Sequence, residues 1–252
     1  MSYPDPLDNL DKYKCCWPKE PIRLPITSIV FENRPEMMDR IRRITEWHRR
    51  WFTFEREILI SNCNPNIPGL TCFGCSTPPS HLMMLWYSDM CVHGFDNLCT
   101  TPYMLVWQWD GFIINPELWS NEFLEWDYIG APHGLFWRQV ANWLKSMWPN
   151  WPNPFDVPGQ KEIAGNGGFS LRSKKFLQAT NGLCRSGMTP SAEDMYLCVE
   201  RRHELESQGI KFCPAEIAKK FSTDSEDVVR SFGFHNPANF EAVKKLLEDK
   251  YL

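Results

Sequence analysis

The most constraining feature of the sequence is TPYMLVWQWDGFII, residues 101–114, in which apolar residues follow one another almost without interruption. A continuous apolar run predicts a strand that is buried on both faces, as at the centre of a largely parallel sheet. Asp110 interrupts the run near its end. A carboxylate there is costly unless it is paired, and ligands of α/β proteins bind at the carboxyl ends of such strands. We therefore expect Asp110 to hold a divalent metal or, alternatively, to cap or salt-bridge the following turn.

Further strand and helix patterns alternate along the chain. Strands are predicted at 23–31, 56–61, 127–132 and from 169, and a late strand and turn at 211–222. Helices are predicted from Pro35, at 191–209 and at the end of the chain. This alternation predicts an α/β fold in a single domain, with a mixed, mostly parallel central sheet flanked by helices.

Two segments stand apart from this pattern. The helix after Pro35 has an apolar stripe with five arginines mostly off it, which are Arg40, Arg42, Arg43, Arg49 and Arg50. They predict a solvated face or, alternatively, a phosphate-binding patch. Residues 133–162 form a long insertion with four tryptophans and four prolines, and insertions of this kind are commonly lids or binding loops.

Composition bounds the function only loosely. The net charge of −4 gives no bulk signal for nucleic-acid binding. The N-terminal segment lacks the apolar core of a signal peptide, and no run approaches the roughly 18 apolar residues of a membrane helix. Ten cysteines then indicate reduced thiols in the cytoplasm.

A cluster of cysteine and histidine residues leaves two interpretations open. Its members are Cys63, Cys72, Cys75, His81, Cys91 and His93. The Cys-Phe-Gly-Cys segment has no second pair at a standard spacing, so the pattern favours free, partly buried thiols over a structural zinc site.

Three later features carry possible chemistry. Glu193 and Asp194 follow Ser191 with the spacing of a helix capping box, but a carboxylate at a helix start could also be a general base. His235 lies in a loop-like segment, where an imidazole could complete a metal site. The block Gly165-Asn-Gly-Gly168 predicts a turn before a strand or, because several adjacent glycines cost chain entropy, a close approach of backbone to ligand.

Five segments occur in a fixed order: WQWDGFII, FLEWDYIGAP, AGNGGFSLR, AEDMYLC and FGFH. Together they resemble a family of uncharacterised glycosyltransferase-like domains, marked by a strand ending in Gln-x-Asp, a DYIGAP segment, a GNGG-SLR block, a Glu-Asp pair and a late FG-x-H. The resemblance covers about residues 95–237 and implies a GT-A-like fold. It makes about 20–114 the nucleotide-binding half and about 115–252 the acceptor and catalytic half, which contains the insertion at 133–162.

The resemblance also implies roles for single residues. Asp110 corresponds to the last acid of the Asp-x-Asp metal motif, with Gln108 where many such enzymes have the first Asp. His235 corresponds to the late histidine that reaches the metal and the diphosphate. Asp194 corresponds to the general base, with Glu193 beside it.

The remaining motif residues are assigned to the bound sugar and donor. Asn166, Gly167 and Gly168 would form the loop beneath the donor sugar and the acceptor. Arg172, on the strand that follows, would make a charge contact with the donor.

The implied function is a glycosyltransferase that uses a nucleotide sugar, with a UDP-sugar as the expected donor and Mn²⁺ or Mg²⁺ as cofactor. One base with direct attack implies inversion. The acceptor would be a hydroxyl of a glycan precursor or of a hydroxylated base in viral DNA, and the enzyme would be cytoplasmic, in the host if viral. The alternative, favoured by Gln108 in place of Asp, is a non-catalytic sugar- or nucleotide-binding module with a degenerate site.

Overall fold

The computed structural model describes residues 5–8, 10–75, 83–183, 192–225 and 227–252. Its strands are β1 (Ile22–Phe31), β2 (Phe52–Ile60), β3 (Thr71–Phe73), β4 (Tyr103–Trp107), β5 (Tyr128–Gly130), β6 (Pro132–His133), β7 (Ile163–Ala164), β8 (Ser170–Ser173), β9 (Ser222–Thr223) and β10 (Gly233–Phe234). Six of them form the central sheet in the order β3-β2-β1-β4-β8-β5, while β6 pairs with β7 and β9 with β10.

The central sheet is mostly parallel, as predicted. The strands β3, β2, β1 and β4 run parallel, and β8 is antiparallel to both β4 and β5. The β1–β2 register shifts between Leu24 and Thr27. Pro25 lies inside this shift, and a proline without an N–H group is tolerated in a strand at such an irregularity.

The order of the strands creates a crevice at one edge of the sheet. From β1 the chain moves outward through β2 and β3 and then returns to β4 on the other side of β1. The loops that follow β1 and β4 therefore diverge at their carboxyl ends. Such a switch in strand order is where open α/β sheets bind ligands.

Helices cover both faces of this sheet. They are α1 (Met38–Trp51), α2 (Met83–Asp89), α3 (Phe95–Leu98), α4 (Leu135–Met147), α5 (Lys174–Asn181), α6 (Glu193–Met195), α7 (Arg202–Ser207), α8 (Ala215–Phe221) and α9 (Phe240–Tyr251). A π-helical turn joins α2 to α3, and another continues α6. In the described part of the chain, no helix combines the length and apolarity that crossing a bilayer requires.

The position of strand β4 between two cores explains why its sequence is continuously apolar. Leu105 and Trp107 pack into one core with α1, α8 and α9. Met104 and Val106 point the other way, into a second core with helices α2 to α7. The strand is thus buried on both faces, and the layered α/β architecture is confirmed.

Several boundaries differ from the prediction. The run 101–114 is strand only to Trp107, because the chain turns back where Gly111 N–H donates to the Gln108 carbonyl at 3.1 Å. Residues 211–222, predicted as a late strand and turn, contain helix α8 and only one residue of a strand, Ser222 of β9. Pro214 precedes that helix and lacks the N–H that a first turn leaves unbonded. The insertion 133–162 is not one loop, since α4 occupies much of it.

Helix α1 has the predicted apolar stripe, and Arg42 and Arg50 are exposed as predicted, but Arg40 is not. Four of its five off-stripe arginines pair with acidic side chains. Arg40 is buried, with Nη1 2.8 Å from Asp5 Oδ1, and its Nε donates to the Trp109 carbonyl at 2.6 Å. The expectation of a solvated face is therefore wrong for Arg40, which binds α1 to the segment after β4.

Two more side chains of α1 hold that same segment. Trp47 Nε1 donates to the Ile113 carbonyl at 2.6 Å, and the Ile113 N–H donates to His48 Nε2 at 3.1 Å. Burial lowers the pKa of His48 to about 3, so the imidazole is neutral and can accept this hydrogen bond. Both backbone polar groups of Ile113 are thereby bonded to α1, which fixes the backbone after β4.

Asn115 makes a comparable connection to the segment before β10. Its Nδ2 donates to the carbonyls of Val228 and Ser231 at 2.9 and 2.7 Å, and the side chain is buried. We predict that Asn115→Ala lowers the free energy of unfolding by about 2–5 kcal/mol, since two buried acceptors lose their donor. Urea denaturation measures the loss. The exposed Asn121→Ala is the control, and similar small losses in both variants would contradict the prediction.

Candidate functional site

A cavity of about 670 Å³ opens at the switch in strand order, where β1 and β4 end. One wall follows these two strands and consists of Phe31, Glu32, Asn33, Arg34, Gln108 and Trp109. The facing wall consists of Tyr87, Gly168, Ala192, Glu193, Asp194 and His235. Its volume is that of a typical small-molecule site, and it brings four separately predicted motifs to one place.

Asp110 lies just behind this cavity. The side chain is buried, and Asp110 Oδ1 has no hydrogen bond within the described structure. Its charged neighbour is His235, whose Nε2 is 3.4 Å away. The same nitrogen lies 3.0 Å from Gln108 Oε1. The structure therefore brings Asp110, Gln108 and His235 together as the sequence motifs predicted.

His235 links two carboxylates on different parts of the chain. Its Nδ1 lies 3.1 Å from Asn166 Nδ2 and 3.7 Å from Asp224 Oδ1. Burial lowers the pKa of His235, but the nearby carboxylates of Asp110 and Asp224 outweigh it and raise the pKa to about 10. The ring therefore lies between the carboxylates of Asp110 and Asp224.

The Gly-Asn-Gly-Gly block is shaped by Asn166. Its Oδ1 accepts from the Gly168 N–H at 2.8 Å, and its Nδ2 donates to Asp224 Oδ2 at 3.0 Å. Asn166 is almost completely buried, so its side chain fixes the turn from within. The turn expected from the sequence is present, and it leads directly into β8.

Packing against other side chains of the protein explains why positions 167 and 168 are both glycine. A Cβ atom at Gly167 would lie 2.1 Å from Glu193 Oε1, and one at Gly168 would lie 2.2 Å from His235 Nε2. The expectation that a ligand explains both glycines thus needs correction, since packing already excludes larger residues. Gly168 lines the cavity and can contact a ligand, whereas Gly167 is not among the lining residues.

Arg172 lies beneath the cavity and is completely buried. Its Nη2 forms an ion pair with Glu193 Oε1 at 3.0 Å, its Nε donates to Ser170 Oγ at 3.1 Å, and its guanidinium carbon lies 5.5 Å from the centre of the Tyr128 ring. The predicted contact between Arg172 and a donor does not fit this position. The guanidinium instead positions Glu193.

The two adjacent acids have different surroundings. Burial and the nearby charge of Asp194 raise the pKa of Glu193 to about 7, although Arg172 lowers it. Asp194 is half-buried and accepts from the N–H groups of Gly167 at 3.2 Å and Met195 at 2.7 Å. Burial raises the pKa of Asp194 against the effect of these two donors. The predicted capping residue Ser191 lies outside the described residues.

A second cavity, of about 630 Å³, lies along α4. Its lining consists of His133, Phe136, Trp137, Val140, Trp143, Leu144, Asn166, Ala192, Asp194, Met195 and Glu200. Ala192 and Asp194 belong to both cavities. Asp194 therefore stands between two spaces of ligand size.

Several lining residues were not found from the sequence. The segment from Phe31 to Arg34 follows the first predicted strand, and the rule that selected Asp110 at the end of β4 also applies there. Arg34 lies with its guanidinium carbon 5.1 Å from the centre of the Trp109 ring and pairs with Glu32 at 2.6 Å. No sequence pattern pointed to Asp224, because it joins the site only through contacts with residues distant in the sequence.

The cysteine and histidine cluster is divided in the structure. Cys63 and Cys75 contact Asn33, and Cys72 Sγ donates to the Ser61 carbonyl at 3.6 Å. Cys91 is buried in the turn after α2, and His81 lies outside the described residues. Among the residues that the structure describes, no three His, Cys, Asp or Glu side chains are arranged to hold a metal.

Together the fold and the site define an α/β protein with a ligand-sized cavity at the carboxyl ends of its parallel strands. The family described as "Protein of unknown function (DUF5672)" matches residues 87–235, more than half of the chain, and the chain belongs to that family. The match includes the whole segment from Gln108 to His235. No curated protein matches the sequence.

We predict that Arg172→Met destabilises the protein by about 3–5 kcal/mol at pH 8, because Glu193 is then buried without its partner. The loss should be smaller at pH 5. In the folded protein the pKa of Glu193 is about 7, above its ordinary value of 4.5. The protonated carboxyl group therefore stabilises the folded protein at low pH, and this stabilisation is lost as pH rises through about 7. Removing Arg172 raises the pKa of Glu193 further, so the loss extends to higher pH and becomes larger in total.

Urea denaturation at the two pH values measures the effect of Arg172→Met. Adding Glu193→Gln should recover part of the loss, since no charge then remains buried and unpaired. Arg42→Met, which breaks the exposed pair with Asp39, is the control and should cost less than about 1 kcal/mol at both pH values. Equal losses for Arg172→Met at pH 5 and pH 8 would contradict this account.

Proposed function

We propose that this protein is a nucleotide-sugar-dependent glycosyltransferase with a GT-A-like fold. The observation that supports the proposal most directly is the position of Asp194 between two ligand-sized cavities, one of which lies at the switch in strand order. A transfer reaction between two substrates needs a reactive group that both can reach. A nucleotide sugar would occupy the first cavity and the acceptor would approach from the second.

The first cavity has features that suit a nucleotide. Phe31, Tyr87 and Trp109 supply aromatic surface, and the guanidinium of Arg34 lies near the Trp109 ring. Aromatic rings and arginine bind the faces of planar bases, and the same guanidinium can attract a phosphate. We propose a UDP-sugar as donor.

The residues near Asp110 fit a divalent cation in part. Asp110 Oδ1 is a buried oxygen without a hydrogen bond, next to the imidazole of His235. Mn²⁺ and Mg²⁺ are commonly held by one or two protein groups together with substrate phosphates. Asp110 and His235 would hold the ion, with the His235 Nε2 proton lost and the Gln108 contact released. When bound, the ion would neutralise charge on the departing diphosphate.

Asp194 would be the general base. Its carboxylate would accept the proton of the acceptor hydroxyl as that oxygen attacks the anomeric carbon, which implies an inverting reaction. The raised pKa of Asp194 strengthens it as a proton acceptor, and the Gly167 N–H holds its Oδ2 in place. Glu193, paired with Arg172, would position the start of α6 and would not touch the substrate.

Two acceptor classes follow from the sequence, a glycan precursor and a hydroxylated base of viral DNA. We favour the glycan, because the α1 arginines that could form a phosphate-binding patch for DNA are mostly paired with acidic side chains. Cys63, Cys72, Cys75, Cys91, Cys99, Cys198 and Cys213 are free thiols, in keeping with a cytoplasmic enzyme, in the host if viral.

A non-catalytic sugar- or nucleotide-binding module is the second candidate. The observation that favours it is the contact of Gln108 Oε1 with His235 Nε2, which occupies the nitrogen that a metal would need. A module of this kind would bind nucleotide sugars without breaking them.

We predict that the wild-type protein releases UDP from at least one member of a panel of UDP-sugars when Mn²⁺ is present. Asp110→Asn should abolish the metal-dependent part of this release, because it removes the buried anionic ligand. UDP formation measured with and without Mn²⁺ tests both statements. Donor binding without any release would favour the non-catalytic module, and full activity in Asp110→Asn would eliminate the metal assignment.

We further predict that Asp194→Asn lowers kcat for sugar transfer by about 10²- to 10⁴-fold, the usual contribution of a general base. UDP binding, measured by calorimetry, should persist. Glu204→Gln, on exposed α7, is the control and should transfer sugar normally. Retention of anomeric configuration in the product, determined by NMR, would remove the role assigned to Asp194.

A further inference from the structure

We infer that the second cavity is the acceptor subsite and that it takes a saccharide whose ring stacks on the exposed aromatic side chains of α4. This inference rests on the proposed function, because Asp194 is assigned as the base there. It adds the location of the acceptor, its chemical class and the residues that recognise it.

The connection between the cavities supplies the first argument. Asp194 and Ala192 line both, so an acceptor hydroxyl that reaches Asp194 from the α4 side faces a donor on the other side. The backbone N–H groups of Gly167 and Met195 hold the carboxylate at this junction. An acceptor in the second cavity can therefore reach Asp194 without a separate opening between the two cavities.

The lining gives the chemical class of the acceptor. Towards solvent it is aromatic and apolar, with Phe136 and Trp143 exposed by 67% and 57%. Besides Asp194, the lining also includes the polar side chains of Asn166, Glu200 and His133. A sugar ring has a matching division, since its C–H face stacks on aromatic rings while its hydroxyl groups donate to carboxylates and amides.

Other occupants fit this lining less well. An acyl chain would desolvate Asp194 and Glu200 without giving them hydrogen bonds. A nucleic acid would bring phosphates to a lining that has two acids and, among its described residues, no lysine or arginine. The charge of the cavity thus favours a neutral, hydroxyl-rich ligand.

The aromatic wall is held by contacts that reach the first cavity. Trp137 stacks on His133 with ring centres 4.2 Å apart, and His133 Nε2 lies 3.4 Å from Asp224 Oδ2. Asp224 also accepts from Asn166 at 3.0 Å. Trp137 and His133 are therefore held in place before a ligand binds, which reduces the entropic cost of binding at this part of the cavity.

Helix α4 and the turn after it offer a matched pair of variants. Trp143 and Trp148 have nearly equal exposed fractions, 57% and 56%, but only Trp143 is among the lining residues of the cavity. Neither substitution by alanine removes a buried core side chain, so both variants should fold. Their difference isolates the contribution of the cavity.

The test is saturation-transfer NMR of a panel of methyl glycosides with the wild-type protein, Trp143→Ala and Trp148→Ala, all in the presence of UDP. We expect at least one glycoside to bind the wild-type protein and Trp148→Ala equally. Binding to Trp143→Ala should be weaker by about tenfold, because one stacking partner is lost. Equal affinities for Trp143→Ala and the wild-type protein would overturn the proposed location.

A second measurement separates this inference from the proposed function. UDP binding to the wild-type protein is measured alone by calorimetry. If UDP binds but no glycoside does, or if n-decanol binds in place of the glycosides and depends on Trp143, the saccharide assignment fails and the donor proposal survives. If glycosides bind through Trp143 but UDP does not bind, the saccharide site is supported and the glycosyltransferase proposal fails.

Discussion

The buried ion pair between Arg172 and Glu193 determines where the candidate site can form. Arg172 lies on β8, between β4 and β5, and its side chain has no exposure to water. A charge in that position requires a partner, and Glu193 supplies it from the start of α6. Buried ion pairs contribute little net stability compared with apolar packing, so the main consequence is positional. The pair fixes the start of α6 on the sheet, and Asp194, the next residue, is fixed with it at the junction of the two cavities.

Gly167 joins this ion pair to the exposed half of the site. Gly167 has no Cβ, so Glu193 Oε1 can occupy the space that a side chain at position 167 would fill. The Gly167 N–H donates to Asp194 Oδ2. Gly167 thus leaves room for the buried Glu193 and hydrogen-bonds to Asp194. Two neighbouring carboxylates acquire different surroundings in this way, one enclosed with arginine and the other half-buried beside a cavity. Such a separation is what allows adjacent acids to differ in role.

The sequence predicted those parts of the structure that depend on local pattern. The apolar run before Asp110 identified the central strand, and the spacing of Ile41, Ile44 and Trp47 identified the buried face of α1. It failed where a contact between distant residues decides the outcome. Arg172 follows a strand pattern in which arginine is ordinarily exposed, and only the approach of Glu193 permits its burial. The helix α8 was missed in a segment predicted as strand and turn, although Pro214 suits a helix start.

The two cavities cannot be shaped independently, because one hydrogen-bonded and charged network forms parts of both walls. His235 lies between Asp110 and Asp224, and Asp224 also contacts Asn166 and His133. His235 lines the first cavity, whereas Asn166 and His133 line the second. These residues come from loops far apart in the chain, so the network forms only when the whole sheet is assembled. The network thus joins residues of three of the sequence segments, Asp110 of WQWDGFII, Asn166 of AGNGGFSLR and His235 of FGFH.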